Sequence, residues 1–129
     1  MSKFIRLHII AEGQTEERFT KDTLSNYLGS FNISTDVRCI QTSKNKYKRY
    51  RGGLTSYAKA KSDIMIWLKE DGNSNVRFTT MFDLYALPKD FPKYNESKKI
   101  NDAYERVEFL EKAFADDIQD NRFIPYLQL

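Results

Sequence analysis

Two glutamates, Glu12 and Glu16, flank a glycine turn near the start of the chain. Residues 4–10 are almost continuously apolar, which predicts a buried strand that ends at this turn. Gly13 permits a tight turn at the carboxyl end of that strand, where open α/β sheets place their ligands. The spacing of the two glutamates lets both carboxylates face one crevice, so this turn is the first candidate for chemistry.

A third acid, Asp83, directly follows a segment at 76–82 that is rich in β-forming residues. Because the strands of a parallel sheet end at one edge, we expect Asp83 to converge there with Glu12 and Glu16. Three gathered carboxylates repel each other unless a cation lies among them, and Mg²⁺ prefers hard oxygen ligands. Such a cation can stabilise the attacking and leaving oxygens of phosphodiester cleavage. The alternative is that Glu16 and Glu17 simply stabilise a helix N-terminus through its dipole.

Strands and helices alternate along the rest of the sequence. The patterns predict strands at 4–10, 33–40, 76–82 and 123–129, and helices at 15–28, 54–69 and 99–118. Two prolines in 84–92 predict that this segment has no regular structure. The β-α-β-α-β-α-β order predicts an α/β fold with a mainly parallel, four-stranded sheet and helices on both faces. We expect one domain over 1–129, truncated after its last strand.

Basic residues are concentrated in one segment, 44–51, although the net charge of the chain is only +3. Without that segment the remaining chain is slightly acidic. Tyr47 and Tyr50 alternate with its cations, and it ends near two glycines, so we expect a mobile loop there. Cations contact phosphates and tyrosines stack on bases, which makes nucleic acid a candidate partner; a solvated charged loop is the alternative. The candidate binding residues are Lys44, Lys46, Lys48, Arg49 and Arg51.

Several classes of protein are disfavoured by composition. No apolar run approaches the ~20 residues of a membrane span, and the first residues lack the layout of a signal peptide. The single cysteine, Cys39, excludes an internal disulfide and fits the reducing cytoplasm; we expect it to be buried and inert. The single histidine, His8, lies among apolar neighbours and is predicted to be structural; because there is no second histidine, neither a histidine-based metal site nor a histidine-based catalytic pair is expected.

The acidic motifs resemble those of a known family. Segment 12–16, Glu-Gly-Gln-Thr-Glu, resembles the Glu-Gly-x-Thr-Glu motif of Toprim-like proteins. Segment 83–88 is similar to the Asp-x-Tyr-x-x-Pro segment of one branch, the domain-of-unknown-function family 4276. Segment 123–128 resembles the strand that precedes a His-Glu-Phe-Glu type segment in that family. The three motifs occur in order over essentially the whole chain.

This resemblance implies a Toprim/Rossmann-like three-layer sandwich and a nuclease that depends on Mg²⁺ or Mn²⁺ and acts on DNA or RNA. It implies that Glu12 is catalytic or metal-binding, and that Glu16 and Asp83 bind the metal. It also implies a role in phage defence with an ATPase partner. Tyr85 stands where the general Toprim pattern has a second aspartate, and Asp90 is the candidate for an extra acid.

A second function is also compatible with the sequence. The chain could be a non-catalytic module that uses the basic segment 44–51 to hold nucleic acid or a partner protein. Tyr85 favours this alternative, because a phenol is a poor Mg²⁺ ligand at neutral pH.

Overall fold

A computed structural model describes residues 4–40 and 56–129 of the chain, so the predicted basic loop at 44–51 lies outside the described residues. The strands are β1 (Ile5–Ala11), β2 (Ile33–Cys39), β3 (Val76–Asp83) and β4 (Leu127–Gln128). The helices are α1 (Gln14–Phe19), α2 (Ser25–Gly29), α3 (Tyr57–Glu70), α4 (Tyr94–Ser97) and α5 (Ala103–Ile118). In the described ranges, no helix has both the length and the apolar character needed to cross a membrane.

The four strands form one sheet in the order β2-β1-β3-β4, and every neighbouring pair is parallel. Strand β1 is central: Ile9 is paired with Val37 on one side and with Thr79 on the other. The predicted α/β class and parallel sheet are therefore confirmed. The carboxyl ends of all four strands therefore lie at the same edge of the sheet, which we call the carboxyl edge.

Helices cover both faces of this sheet, as a three-layer sandwich requires. On one face Phe78 and Phe82 are fully buried in a core with Ile64 of α3 and Phe114 of α5. On the opposite face the neighbouring residue of β3, Met81, has its Sδ 3.6 Å from the hydroxyl of Thr20, which lies in the helical stretch after β1. Successive side chains of a strand point to opposite faces, so β3 is packed on both sides.

The first helical stretch agrees with the prediction in position but not in regularity. Helices α1 and α2 are joined by a π-helical segment, Thr20–Leu24. The buried hydroxyl of Thr20 donates a hydrogen bond to the carbonyl of Glu16 at 3.0 Å. Such back-bonding competes with the regular helical ladder and bends helices. The turn of the helix that carries Glu16 is thereby fixed to the sheet through Thr20 and Met81, 3.6 Å apart.

Two boundaries were predicted wrongly between β3 and α5. Residues Leu84–Ala86 form a 3₁₀ turn in the segment expected to be irregular, because its prolines come only after that turn. The last long helix begins at Ala103 instead of 99, since the carboxylate of Asp102 accepts the backbone N–H of Glu105 at 2.9 Å and caps the helix there.

The final strand is also much shorter than the predicted 123–129. Phe123 forms one isolated parallel bridge with Phe78, and regular pairing resumes only at Leu127–Gln128. Pro125, between them, has no N–H to donate to the sheet. Tyr126 is held by side-chain hydrogen bonds instead, because the hydroxyl of Thr80 donates to its carbonyl at 2.8 Å and accepts its N–H at 3.0 Å.

Candidate active site

Glu12 lies immediately after β1, at the carboxyl edge. Its backbone N–H donates to the carbonyl of Met81 at 3.3 Å, which continues the pairing of β1 with β3 by one residue. Its Oε1 accepts the backbone N–H of Asp83 at 3.1 Å. The side chain of the first predicted acid thus contacts the backbone of the third, and the predicted convergence of Glu12 and Asp83 is present in the fold.

Glu16 occupies the first turn of α1, one turn beyond Glu12. Its Oε1 accepts the backbone N–H of Gly13 at 3.1 Å, which satisfies a donor that the helix leaves unpaired at its start. This contact gives Glu16 the structural role that the sequence left open as an alternative. It also holds the carboxylate close enough for its charge to act on Glu12.

Asp83 is the last residue of β3, and its side chain has a partner that the sequence did not reveal. The amide Nε2 of Gln128 donates to its Oδ1 at 3.1 Å. The two residues are parallel register partners on β3 and β4. Strand register could have indicated this contact. Gln128 lies near the end of the fourth parallel strand, and parallel pairing places it next to Asp83 at the end of the third.

The pKa of Glu12 reflects both its burial and its repulsion by the neighbouring acids. Burial is the largest cause and raises the pKa of Glu12 above its usual 4.5. The hydrogen bond from the Asp83 N–H opposes that change, whereas the negative charges of Asp83 and Glu16 raise the pKa further. Among the described residues none of the three carboxylates forms an ion pair with a cationic side chain.

The three acids do not form a finished metal site in this arrangement. Within residues 4–40 and 56–129, no group of three or more His, Cys, Asp or Glu side chains is spaced to hold a metal ion. Each acid uses one oxygen in a single hydrogen bond to the described part of the chain. The donor chemistry of Glu12 and Asp83 fits a hard divalent cation, while a third ligand requires side-chain rotation or water.

Asp90, the candidate for an extra acid, is used elsewhere. Its Oδ1 accepts the backbone N–H of Tyr57 at 2.7 Å, and its Oδ2 accepts that of Ala58 at 3.2 Å. Both oxygens therefore satisfy donors in the first turn of α3, and neither bonds to the three acids at the carboxyl edge. Tyr85 lies in the 3₁₀ turn after Asp83, and the residue is 83% exposed.

Cys39 is half-buried at the end of β2, not fully buried as predicted. Burial and the neighbouring Glu17, which accepts a hydrogen bond from the thiol, raise the pKa of Cys39 to about 11. The residue is a neutral thiol at physiological pH and is therefore a poor nucleophile, which agrees with the predicted inertness.

Comparison with known proteins identifies the family of the chain. Neither a curated protein nor a solved structure matches it. One family model, described as "Domain of unknown function (DUF4276)", matches residues 11–129, a range that includes every acid discussed above. The chain belongs to this family of domains of unknown function, DUF4276.

Proposed function

We propose that this protein is a metal-dependent nuclease of Toprim type, which hydrolyses phosphodiester bonds in DNA or RNA. One observation carries the proposal. At the carboxyl edge the negative charges of Asp83 and Glu16 act on Glu12, and none of the three acids has a cationic partner in the described residues. A partly buried acid with a raised pKa and no cationic partner, as Glu12 is, is more typical of a functional site than of a structural one.

The three acids and Gln128 have distinct roles in this proposal. Glu12, with its raised pKa, transfers a proton or joins the ligand set. Asp83 and Glu16 hold Mg²⁺ or Mn²⁺, and Gln128 orients Asp83 through the 3.1 Å hydrogen bond. A bound cation would supply positive charge to stabilise the oxygens of the reacting phosphodiester.

The substrate and partners are proposed from the sequence. The basic segment 44–51 would contact the phosphate backbone, because cationic side chains there outnumber acids and alternate with tyrosines. An ATPase partner and a role in phage defence are supported only by the resemblance to Toprim-like proteins.

Cleavage of labelled DNA and RNA in the presence of Mn²⁺ or Mg²⁺ tests this function. We expect cleavage that a chelator stops and that Glu12→Gln abolishes. The matched control is Glu96→Gln, which alters an exposed glutamate of α4 and should leave cleavage unchanged. The proposal would be contradicted if neither DNA nor RNA were cleaved, or if the wild type and Glu12→Gln cleaved equally.

Two observations favour a second candidate, a non-catalytic binding module. The described residues contain no group of three potential ligands spaced for a metal, and Tyr85 supplies no carboxylate where the Toprim pattern has one. This candidate predicts nucleic-acid binding that survives a chelator and Glu12→Gln. It also predicts that neutralising Lys48, Arg49 and Arg51 together eliminates binding.

A further inference from the structure

His8 is the only histidine of the chain and lies on β1 with its side chain under α3. The residue is 3% exposed, and its ring lies 4.4 Å from that of Trp67 and 5.0 Å from that of Phe78, measured between centroids. It lines a polar cavity of about 500 Å³ on the α3 side of β1 and β2. The charged residues around this cavity are Arg6, Asp36, Arg38, Glu70 and Asp71.

Asp71, which follows α3, fixes the tautomer of this histidine. Its Oδ2 lies 2.7 Å from Nε2 of His8 and 2.8 Å from Nη2 of Arg6. The hydrogen bond from His8 is the main cause that lowers the pKa of Asp71 to about 2, so the carboxylate is ionised and accepts the Nε2 proton. In the neutral imidazole the lone pair must then be on Nδ1.

That Nδ1 atom is buried and has no hydrogen-bond partner in the described structure. The carboxylate of Asp36, the register partner of His8 on β2, has its Oδ2 3.7 Å from Nδ1. This distance is too long for a hydrogen bond. A basic nitrogen and a carboxylate oxygen therefore face each other across a narrow gap at the edge of the cavity.

We propose that His8 and Asp36 form a binding site for a borderline divalent transition-metal ion of the zinc class. Zn²⁺ binds imidazole nitrogen and carboxylate oxygen at about 2.0–2.2 Å, so two such ligands of one ion can be up to about 4.3 Å apart. The observed 3.7 Å fits this limit without movement of the backbone. An imidazole ligand favours zinc-class ions over Mg²⁺.

The surroundings of this pair match those of known metal-bound histidines. Such a histidine usually donates its second ring N–H to a carboxylate, which orients the ring and raises its basicity; Asp71 has this position. The cavity has three acids and two arginines, so its charge is negative while His8 is neutral. The side chain of Asp36 is 71% exposed, which leaves it able to rotate towards the ion and admits water as further ligands.

Titration of the 129-residue, tag-free chain with Zn²⁺, followed by nitrogen NMR of the imidazole, tests this site. Because His8 is the only histidine, its two ring resonances are unambiguous. We expect a saturable shift of the Nδ1 resonance, with Nε2 remaining protonated. Asp36→Asn should eliminate this shift. Asp116→Asn, which alters an exposed aspartate of α5, should retain it.

Asp36 is chosen because it is exposed, whereas replacement of the buried His8 could unfold the chain. The site is separate from the proposed nuclease centre, so Glu12→Gln should retain the Zn²⁺ shift and Mg²⁺ alone should not produce it. Three results would each overturn the proposal: an Nδ1 resonance unmoved by excess Zn²⁺, a shift that Asp36→Asn leaves intact, or a shift that Glu12→Gln removes.

Discussion

Two groups of acids in this molecule are held in opposite ways. At the carboxyl edge, Glu12 and Asp83 accept hydrogen bonds from neutral donors and repel each other. Beside β1, Asp71 is paired with Arg6 and His8. The pKa of Glu12 is accordingly raised, chiefly by burial, and that of Asp71 is lowered to about 2, chiefly by its hydrogen bond with His8.

The two directions of pKa change separate a carboxylate whose charge stabilises the folded state from one whose charge destabilises it. Asp71 joins the end of α3 to β1, so its charge contributes to stability. The charge on Glu12 opposes folding, and proteins accept such a cost where activity requires it. Stability measurements can therefore test this interpretation independently of any nuclease assay.

The largest expected effect is that of Asp71→Ala. Removing this carboxylate leaves the Nε2 N–H of buried His8 and the guanidinium of Arg6 without their partner, which should lower the free energy of unfolding by about 3 kcal/mol. Urea unfolding at neutral pH measures the change. Asp116→Ala is the control, since its exposed pair with Lys112 contributes at most about 0.5 kcal/mol. Equal losses in the two variants would refute the assigned role of Asp71.

The pH dependence of stability should show the same pairing. Because the folded pKa of Asp71 is about 2, below its ordinary 3.8, its contribution is fully present above pH 3.8 and is lost as the pH falls through about 2. We expect this contribution to be about 1–2 kcal/mol. The measurement is the difference in unfolding free energy between the wild type and Asp71→Asn across that range. A difference that stays constant with pH would contradict it.

Glu12 should have the opposite sign. Its folded pKa is raised above 4.5, so folding favours the protonated form; the cost of the ionised side chain grows as the pH rises above 4.5 and is fully present above the folded pKa. Glu12→Gln should therefore raise the free energy of unfolding by about 1 kcal/mol at neutral pH. The gain should disappear as the pH falls to 4.5, as urea unfolding at both pH values would show. A loss of stability at neutral pH would mean that the charge of Glu12 is compensated.

Much of the acidic edge could be predicted from the sequence, because its geometry follows from strand order. An apolar run before Glu12 and another before Asp83 predict two buried strands, and parallel pairing brings their ends together. The placement of Asp90 could not be predicted. Its carboxylate caps α3 from 33 residues away along the chain, and no local pattern indicates such a contact.

The pairing of His8 was hidden for a similar reason. A lone histidine among apolar neighbours predicts a structural role, and His8 is indeed buried, but its partner Asp71 is 63 residues away along the chain and directly follows α3. The last strand was overestimated because β-forming residues on both sides of Pro125 conceal the interruption. Contacts set by tertiary packing between distant segments were thus the ones that sequence patterns missed.

Gln128 provides the smallest and most selective test of the acidic edge. Gln128→Ala removes the amide that donates to Asp83, at the cost of one partly exposed hydrogen bond, about 0.5 kcal/mol of stability. If Asp83 is a metal ligand, losing the group that orients it should weaken Mn²⁺ binding about tenfold, far more than the small stability change suggests. Calorimetric titration with Mn²⁺ measures this, with Gln14→Ala, an exposed glutamine at the start of α1, as the control. Unchanged Mn²⁺ affinity in Gln128→Ala would show that Asp83 needs no orienting partner. The hydrogen bond between Glu12 and the Asp83 N–H would then be the remaining evidence for a site at the carboxyl edge.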